Sequence, residues 1–382
     1  MYKIYSDVTH LPDSWNSFVS HDIFLQSQYL KALEHASPDN IKFYYIGVFK
    51  DNELAGVAIV QRVKLYLKDM FRTTQVSCAK DFFKNQVSKI LKGNLLVVGN
   101  LMHTGQHGIY FDGALIRSDV FLNTVFEALE DLEKSIFTNE NKKIRALVFK
   151  DYFLDDAINN EHQFFNLHNL HKVKVQPNMI MGVSKSWESF NDYLSSLNKK
   201  YRARYKRARK KRNGVLTKEL DLHDINHLQD KLYSLYLNVS NNAKFNTFIL
   251  PKNHFYQLKL QLNNRFKVFG YYLNDQLIGF YTLILNDKDL ETYFLGYDAE
   301  HQYENQLYLN MLYDMAEFGI NNRFLNIVYA RTAMEIKSSV GAEAKPMVMY
   351  LKHTNGLLNA VLKQVFKLMN PNQQWEARHP FK

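Results

Sequence analysis

Two stretches of this chain lie over each other without a gap at an offset of 223 residues, and this repeat limits the available folds more than any single motif does. Residues 44–56 align with residues 267–279, so that Gly47 meets Gly270, Leu54 meets Leu277 and Gly56 meets Gly279. Between the matched positions each stretch has a short polar turn, Lys50 to Glu53 in one and Leu273 to Gln276 in the other. Each therefore reads as a β-hairpin. Any two hairpins share turn chemistry, but here the surroundings match as well. Helical patterns precede each hairpin, and a strand, a loop, a helix and a further strand follow it. Shared order on that scale points to a duplicated α/β domain with a mixed sheet. A length of 382 residues fits two domains of about 150–200 residues each.

Within this frame the spacing of apolar residues predicts helices near residues 12–19, 26–35, 79–92 and 119–137, and strands at 94–102, 109–116, 144–149 and 179–183. From Ser186 onward, Trp187, Phe190, Leu194, Leu197, Tyr201, Tyr205 and Ala208 form one apolar stripe, which predicts a single long helix ending at Asn213-Gly214. The second half then repeats the pattern. It has helices at 223–240 and 252–263, the second hairpin, a strand at 290–297 and a helix at 305–319. A strand at 324–330, a short helix at 332–340, a strand at 347–351 and an amphipathic helix at 357–369 complete it. The expected division is a first domain over 1–183, a second over 184–355, and a helical tail over 356–382.

The charge is concentrated. Ten of the fourteen residues from Lys199 to Arg212 are Lys or Arg, and none is acidic. The chain carries 48 basic and 38 acidic side chains, a net charge of +10, so this segment accounts for the whole surplus. A block this dense on an otherwise balanced protein is suited to holding an anion. Because it continues the apolar stripe, it reads as half of an ordered helix. A solvated basic face with no ligand is the plain alternative.

Several classes fall away. A lone Cys78 makes no internal disulfide, which favours a reducing, cytoplasmic setting. No apolar run reaches the roughly 18 residues of a membrane span. Walker A, dinucleotide-fingerprint, His-Glu-x-x-His, Cys-x-x-Cys and Gly-x-Ser-x-Gly patterns are absent, so no metal and no permanently bound cofactor is expected.

The element order of the second half resembles that of the GNAT superfamily of acyltransferases. Its duplication resembles the FemAB-like group, as do the opening Leu197-Asn198-Lys199-Lys200-Tyr201-Arg202-Ala203-Arg204 and the stretch Ala333 to Ala342. The likeness covers roughly residues 1–350. It implies an N-acyltransferase in which an amine attacks the acyl donor directly, with acyl-CoA as the leading co-substrate and a cell-envelope component or small metabolite as the amine-bearing acceptor. An aminoacyl-tRNA-dependent transferase is the alternative within the same group. A non-catalytic binder of RNA or of an anionic membrane is a third possibility, and DNA is not expected. One departure bears on the donor. GNAT domains that bind a diphosphate usually carry a glycine-containing loop after the central strand. Here Asp298 to Gln306 has no glycine and three carboxylates.

The candidate residues follow from this reading. His103, Gly105, His107 and Gly108 form a loop after a strand, where an imidazole could take the proton of an attacking amine and glycines let a ligand approach the backbone. Glu291 is a second candidate base, and Tyr293 a proton donor to the leaving group. Strict alternation would put Glu291, Tyr293 and Tyr297 on one face of their strand. Arg331 and Lys337 flank the end of a core strand, where α/β proteins tend to hold ligands. Lys199, Lys200, Arg202, Arg204 and Arg207 are the donor-binding candidates of the basic segment. For each of these a local hydrogen bond or ion pair is the competing role.

Overall fold

The computed structural model describes residues 1–65, 93–242, 246–360, 362 and 375–382. Cys78, the helix expected at 79–92 and most of the helix expected at 357–369 lie outside the described residues. Two compact units are formed. Unit 1 comprises Met1–Gln176, Lys244–Leu250 and Pro346–Gln373, and unit 2 comprises Pro177–Ala243, Pro251–Lys345 and Gln374–Lys382.

Among the described residues the strands in chain order are β1 (Tyr2–Tyr5), β2 (Ile41–Lys50), β3 (Glu53–Leu65), β4 (Gly93–Val98), β5 (Ile109–Phe111), β6 (Ile144–Phe153), β7 (His171–Gly182), β8 (Leu216–Glu219), β9 (Phe266–Leu273), β10 (Gln276–Asn286), β11 (Asp289–Tyr297), β12 (Asn326–Ala330) and β13 (Glu343–His353). In unit 1 the order is β1-β2-β3-β4-β6-β13, antiparallel except for the parallel pair β4–β6, and β5 also pairs with β3. In unit 2 the order is β7-β12-β11-β10-β9-β8, antiparallel except for the parallel pair β11–β12.

The repeat is visible in atomic detail. The turns place Asp51 and Asn52, and Asn274 and Asp275, at left-handed φ of 50°, 67°, 49° and 61°. Consecutive left-handed residues are what a two-residue hairpin turn requires. Both hairpins then bulge at the same step. Val48 pairs with Gly56 and Phe49 with Leu54, while Tyr271 pairs with Gly279 and Tyr272 with Leu277. The matched glycines have matched reasons. A Cβ on Gly56 would stand 2.4 Å from the Phe121 ring, and one on Gly279 2.8 Å from the Met311 methyl. Phe121 and Met311 belong to the long helices Ser118–Glu140 and Leu307–Asn321, which pack on the strands of their own units. Those helices bury Phe121, Val125, Leu129 and Leu132 in unit 1, and Leu307, Met311, Met315 and Ile320 in unit 2.

The last strands are exchanged. By sequence order β7 closes the first repeat and β13 the second. In the structure Met347–His353 of β13 pairs with β6 of unit 1, whereas Met179–Gly182 of β7 pairs with β12 of unit 2. The chain accordingly passes between units at 176/177 and 345/346 rather than at 183/184 and 355/356.

The single long helix expected from Ser186 is two helices, Phe190–Ser196 and Lys199–Lys211. Leu197 takes an extended conformation and bridges to Phe381, and the Asn198 side chain accepts from the Tyr201 amide to cap the second helix. The Asn198 amide donates to the Pro380 carbonyl (2.8 Å) and that of Lys382 to the Ser196 carbonyl (3.1 Å). The apolar stripe continues through the break because residues 380–382 supply backbone partners there. Sequence periodicity alone does not register that partner.

Candidate active site

In unit 1 the central strand is interrupted. β3 pairs with β4 as far as Val60–Val98 and resumes with β5 at Ala58–Ile109. Between these, Ile59 donates to the Gly108 carbonyl and accepts from the Gly99 amide, both at 2.8 Å. Residues 99–108 are thus an excursion out of one strand line, and it contains all four loop candidates. Two glycines are needed for it. Gly105 has φ of +128°, and a Cβ there would lie 2.5 Å from His107 Nε2; a Cβ on Gly108 would lie 2.6 Å from the Gly99 Cα.

The excursion gathers ionisable groups. His107 Nδ1 lies 2.8 Å from Asp22 Oδ2, with both side chains largely buried. Asp22 Oδ1 also accepts from the Phe24 amide (3.0 Å). Burial raises the affinity of the Asp22 carboxyl for a proton, but His107 and these hydrogen bonds outweigh it and hold the group below the ordinary carboxylate value. An ionised carboxylate only accepts, so it fixes the proton on Nδ1 and assigns the lone pair of neutral His107 to Nε2. His103 Nδ1 contacts the Tyr29 hydroxyl (3.1 Å), and Phe24 packs on both imidazoles. Burial first, then His107 and Lys150, push His103 well below the usual histidine range. Lys150 donates to the His103 carbonyl (2.9 Å) and pairs with Asp151. The pairing of the parallel strands β4 and β6 ends at Val98–Phe149, and Gln106 of the excursion lines a groove of about 1430 Å³.

Unit 2 is built differently at the matched point. β11 has a two-residue bulge, Tyr293–Phe294, opposite Thr282. The Thr282 hydroxyl donates to the Phe294 carbonyl (2.7 Å) and accepts from its amide (3.0 Å), so it fills the bulge. The bulge also shifts the alternation. Glu291 pairs with Ile284 and Gly296 with Phe280, which places them on one face, while Leu295 pairs with Tyr281 and Tyr297 with Gly279 on the other. Glu291 and Tyr297 therefore face opposite sides, against the expectation from strict alternation. Tyr293 contacts His254 Nε2 through its hydroxyl (3.1 Å), whereas Tyr297 packs near Tyr308. Glu291 and His254 are buried.

Neither long helix has a side-chain cap at its N-terminus, but acidic groups stand near both starts. Ahead of the unit 2 helix, residues 299–305 are themselves helical, and the Asp298 side chain accepts from the Glu300 amide to cap them. At the start of the unit 1 helix, the Ser118 hydroxyl bonds to Glu161 and Asp119 pairs with Arg117 (2.9 Å). Carboxylates near both helix starts disfavour a diphosphate there.

The basic helix Lys199–Lys211 divides its charges. Arg209 and the following Arg212 meet at Asp314 Oδ1 (2.6 and 2.9 Å), and the same carboxylate accepts from the Tyr271 hydroxyl. Burial lowers the Arg209 proton affinity, but Asp314 and Tyr205 more than reverse this. These two arginines hold the helix to its unit. The other eight, Lys199, Lys200, Arg202, Arg204, Lys206, Arg207, Lys210 and Lys211, have no acidic partner within 4.0 Å among the described residues. All five donor-binding candidates of the segment are in this outward set. Lys337 is buried and donates to the carbonyls of Ala330 (3.3 Å) and Arg331, across a loop where Ala330, Thr332 and Ala333 all have left-handed φ. Burial pulls its pKa down to about 7. It clamps the loop that carries Arg331 and is not presented to a ligand.

The structure thus unites His103, Gly105, His107 and Gly108 in unit 1, and places Glu291, Tyr293, Tyr297, Arg331, Lys337 and the basic helix in unit 2. Asp22, Tyr29, Lys150 and His254 were not found from sequence. Asp22 and Tyr29 precede the first hairpin, and no local pattern ties them to a loop some eighty residues on.

No protein-family model and no curated protein matches the sequence. Solved structures do. FemX superposes with a TM-score of 0.57 at 12% identity, covering 95% of this chain and 100% of FemX. A tandem GNAT protein from the clavulanic acid biosynthesis pathway gives 0.53 at 8%, covering 93% and 99%. The C-terminal domain of an Agrobacterium fabrum protein described as a lysylphosphatidylglycerol synthetase gives 0.50 at 8%, covering 94% and 96%. The chain has the duplicated, FemAB-like GNAT fold. No helix among the described residues is long and apolar enough to cross a membrane.

Proposed function

We propose that this protein is a transferase that moves an acyl group to an amine, and that the donor is carried by a polyanion held on the basic helix. The names of the similar structures, FemX, a tandem GNAT protein and a lysylphosphatidylglycerol synthetase, support transfer chemistry on this fold. The observation that carries the donor assignment is the division of charge. Eight cations without acidic partners line a helix of 13 residues, about 20 Å long, while carboxylates stand near the helix starts where a coenzyme A diphosphate would sit. A single diphosphate needs far fewer cations than that. A phosphate backbone uses them all, so of acyl-CoA and aminoacyl-tRNA the second fits better.

In this reading the amine nitrogen attacks the ester carbonyl of the donor and the bond to the carrier's ribose oxygen breaks. His107, oriented by Asp22, takes the amine proton and returns one to the departing hydroxyl. A protein that holds tRNA through this helix should lose affinity steeply with salt. Titrating fluorescent tRNA and acetyl-CoA into the wild-type protein and an Arg204→Glu, Arg207→Glu variant, at about 50 and 200 mM salt, tests the assignment. Salt-sensitive tRNA binding lost in the variant supports it. Binding of acetyl-CoA alone returns the donor to the coenzyme, and binding of neither removes the reading.

A further inference from the structure

The groove of unit 1 is left empty of donor by that assignment, and its position and lining both point to a ligand. It lies past the C-terminal end of β6, between β5, the start of the helix Ser118–Glu140 and the segment that follows β6. Ligands of open α/β sheets collect in crevices of this kind. At about 1430 Å³ it exceeds the roughly 300–1,000 Å³ usual for small-molecule sites, so it admits an extended molecule. One wall is the resumed strand with Tyr110 and Phe111, and the other is the segment from Asp156 to Leu167.

We propose that this groove holds the acceptor, and that the acceptor is an extended polar molecule bearing more than one protonated amine. The inference rests on the transferase reading and adds the chemical class of its second substrate. Three carboxylates, Asp119, Asp156 and Glu161, line the groove against one guanidinium, Arg117, which is itself paired with Asp119. A diphosphate would be repelled by this lining, whereas a polyamine-like cation is attracted to it. Around the carboxylates, Asn123, Asn160, Gln163 and Asn166 supply neutral hydrogen-bonding groups, and Tyr110 and Phe111 offer apolar surface to a methylene chain or a sugar ring.

The groove is tied to the candidate base. Gln106 lines it, donates to Asp156 Oδ2 (2.7 Å) and accepts from the Phe153 amide (3.1 Å). The next residue is His107. A ligand that engages Asp156 therefore bears on the loop whose glycines set the His107 ring in place.

Two probes share the amine chemistry and differ in source: spermidine, a flexible polyamine, and a glucosamine trisaccharide, an aminosugar. Each is titrated calorimetrically into the wild-type protein and into an Asp156→Asn, Glu161→Gln variant. A Glu53→Gln variant in the exposed hairpin turn serves as the control. Asp156→Asn retains a side-chain oxygen for the Ile158 amide, which the native carboxylate caps at 2.8 Å, and far-ultraviolet circular dichroism checks the fold of each variant. The expected result is binding of at least one probe by the wild type and the control, weakened about tenfold or more in the double variant. Amide chemical-shift changes should be confined to residues 106–123 and 156–167. The stronger probe names the source. Equal affinity in a folded double variant, shift changes elsewhere, or no binding of either probe to the wild type overturns the proposal. Because tRNA binding is read separately through the basic helix, either result can fail without the other.

Discussion

Ile59 and Thr282, 223 residues apart, occupy the same position in the two hairpins, and in each unit the central strand leaves regular pairing opposite that residue. Opposite Ile59 the strand opens into the ten-residue excursion that carries His103 and His107. Opposite Thr282 it yields only a two-residue bulge, filled by the threonine hydroxyl. Duplication therefore produced one open centre and one closed one. Thr282→Val keeps the shape and removes both hydrogen bonds, leaving the Phe294 amide and carbonyl without that partner. A loss of about 1–3 kcal/mol in denaturant unfolding is expected, with no loss of tRNA or amine binding. Loss of amine binding with stability unchanged would instead place the acceptor site in unit 2.

Asp22→Asn tests the His107 pair. The native Asp22 carboxyl is held below its unfolded value, about 3.9, so the stability it contributes is present above that pH and is lost as the pH falls through the folded value. The asparagine variant should be less stable by about 1–3 kcal/mol at neutral pH, with the gap closing below about pH 4 in thermal melts. The His107 ring signals in NMR should also titrate at a different pH in the variant. An unmoved titration would show that Asp22 does not set the proton on His107.

The two kinds of arginine on the basic helix should separate cleanly. Arg209→Ala leaves Asp314 with Arg212 and Tyr271 but strips a buried partner, and should cost about 1–3 kcal/mol of stability. Arg207→Ala, on an exposed side chain, should change stability by less than about 0.5 kcal/mol while flattening the salt dependence of tRNA binding by about one ion. Paired melting and binding curves read both effects.

Lys337 gives a pH signature of the same sense as Asp22, at higher pH. Its pKa falls from 10.5 to about 7 on folding, so between these values the unfolded chain binds the extra proton and stability rises with pH. The full effect is at most roughly 4–5 kcal/mol. Melting temperatures from about pH 7 to 10 should climb in the wild type relative to Lys337→Met, which has no such proton to release. Parallel profiles would show that the lysine titrates normally.

How far the sequence carried the fold depends on where each signal resides. Gly47, Gly56 and the polar turns are local, and they located both hairpins because left-handed turns and close helix packing leave marks at single positions. The loop His103 to Gly108 was legible for the same reason. What escaped depended on distant partners. The break at Leu197-Asn198 follows from the backbone of residues 380–382, the reversal of faces along β11 from a hydroxyl on the neighbouring strand, and the His107 pairing from Asp22. Charge density identified the basic segment, but which arginines are tethered depended on Asp314, about a hundred residues on.

The exchange of β7 and β13 leads to the broadest expectation. β6 runs beside β4 on one edge and needs β13 on the other, and β12 stands in the same relation to β11 and β7. A fragment of residues 1–183 would contain β7 but lack β13, leaving Val148, Phe149 and Tyr152 of β6 at an unpaired edge. The fragment 184–382 would expose Ile327 and Val328 of β12 in the same way. Buried apolar strands left at an open edge favour aggregation over folding. Each fragment alone should thus be insoluble or lack a cooperative melt, and the two produced together should yield a soluble complex with the tRNA affinity of the intact chain. If either fragment alone gives a dispersed NMR spectrum and a sharp melt, the exchanged strands are dispensable to that repeat.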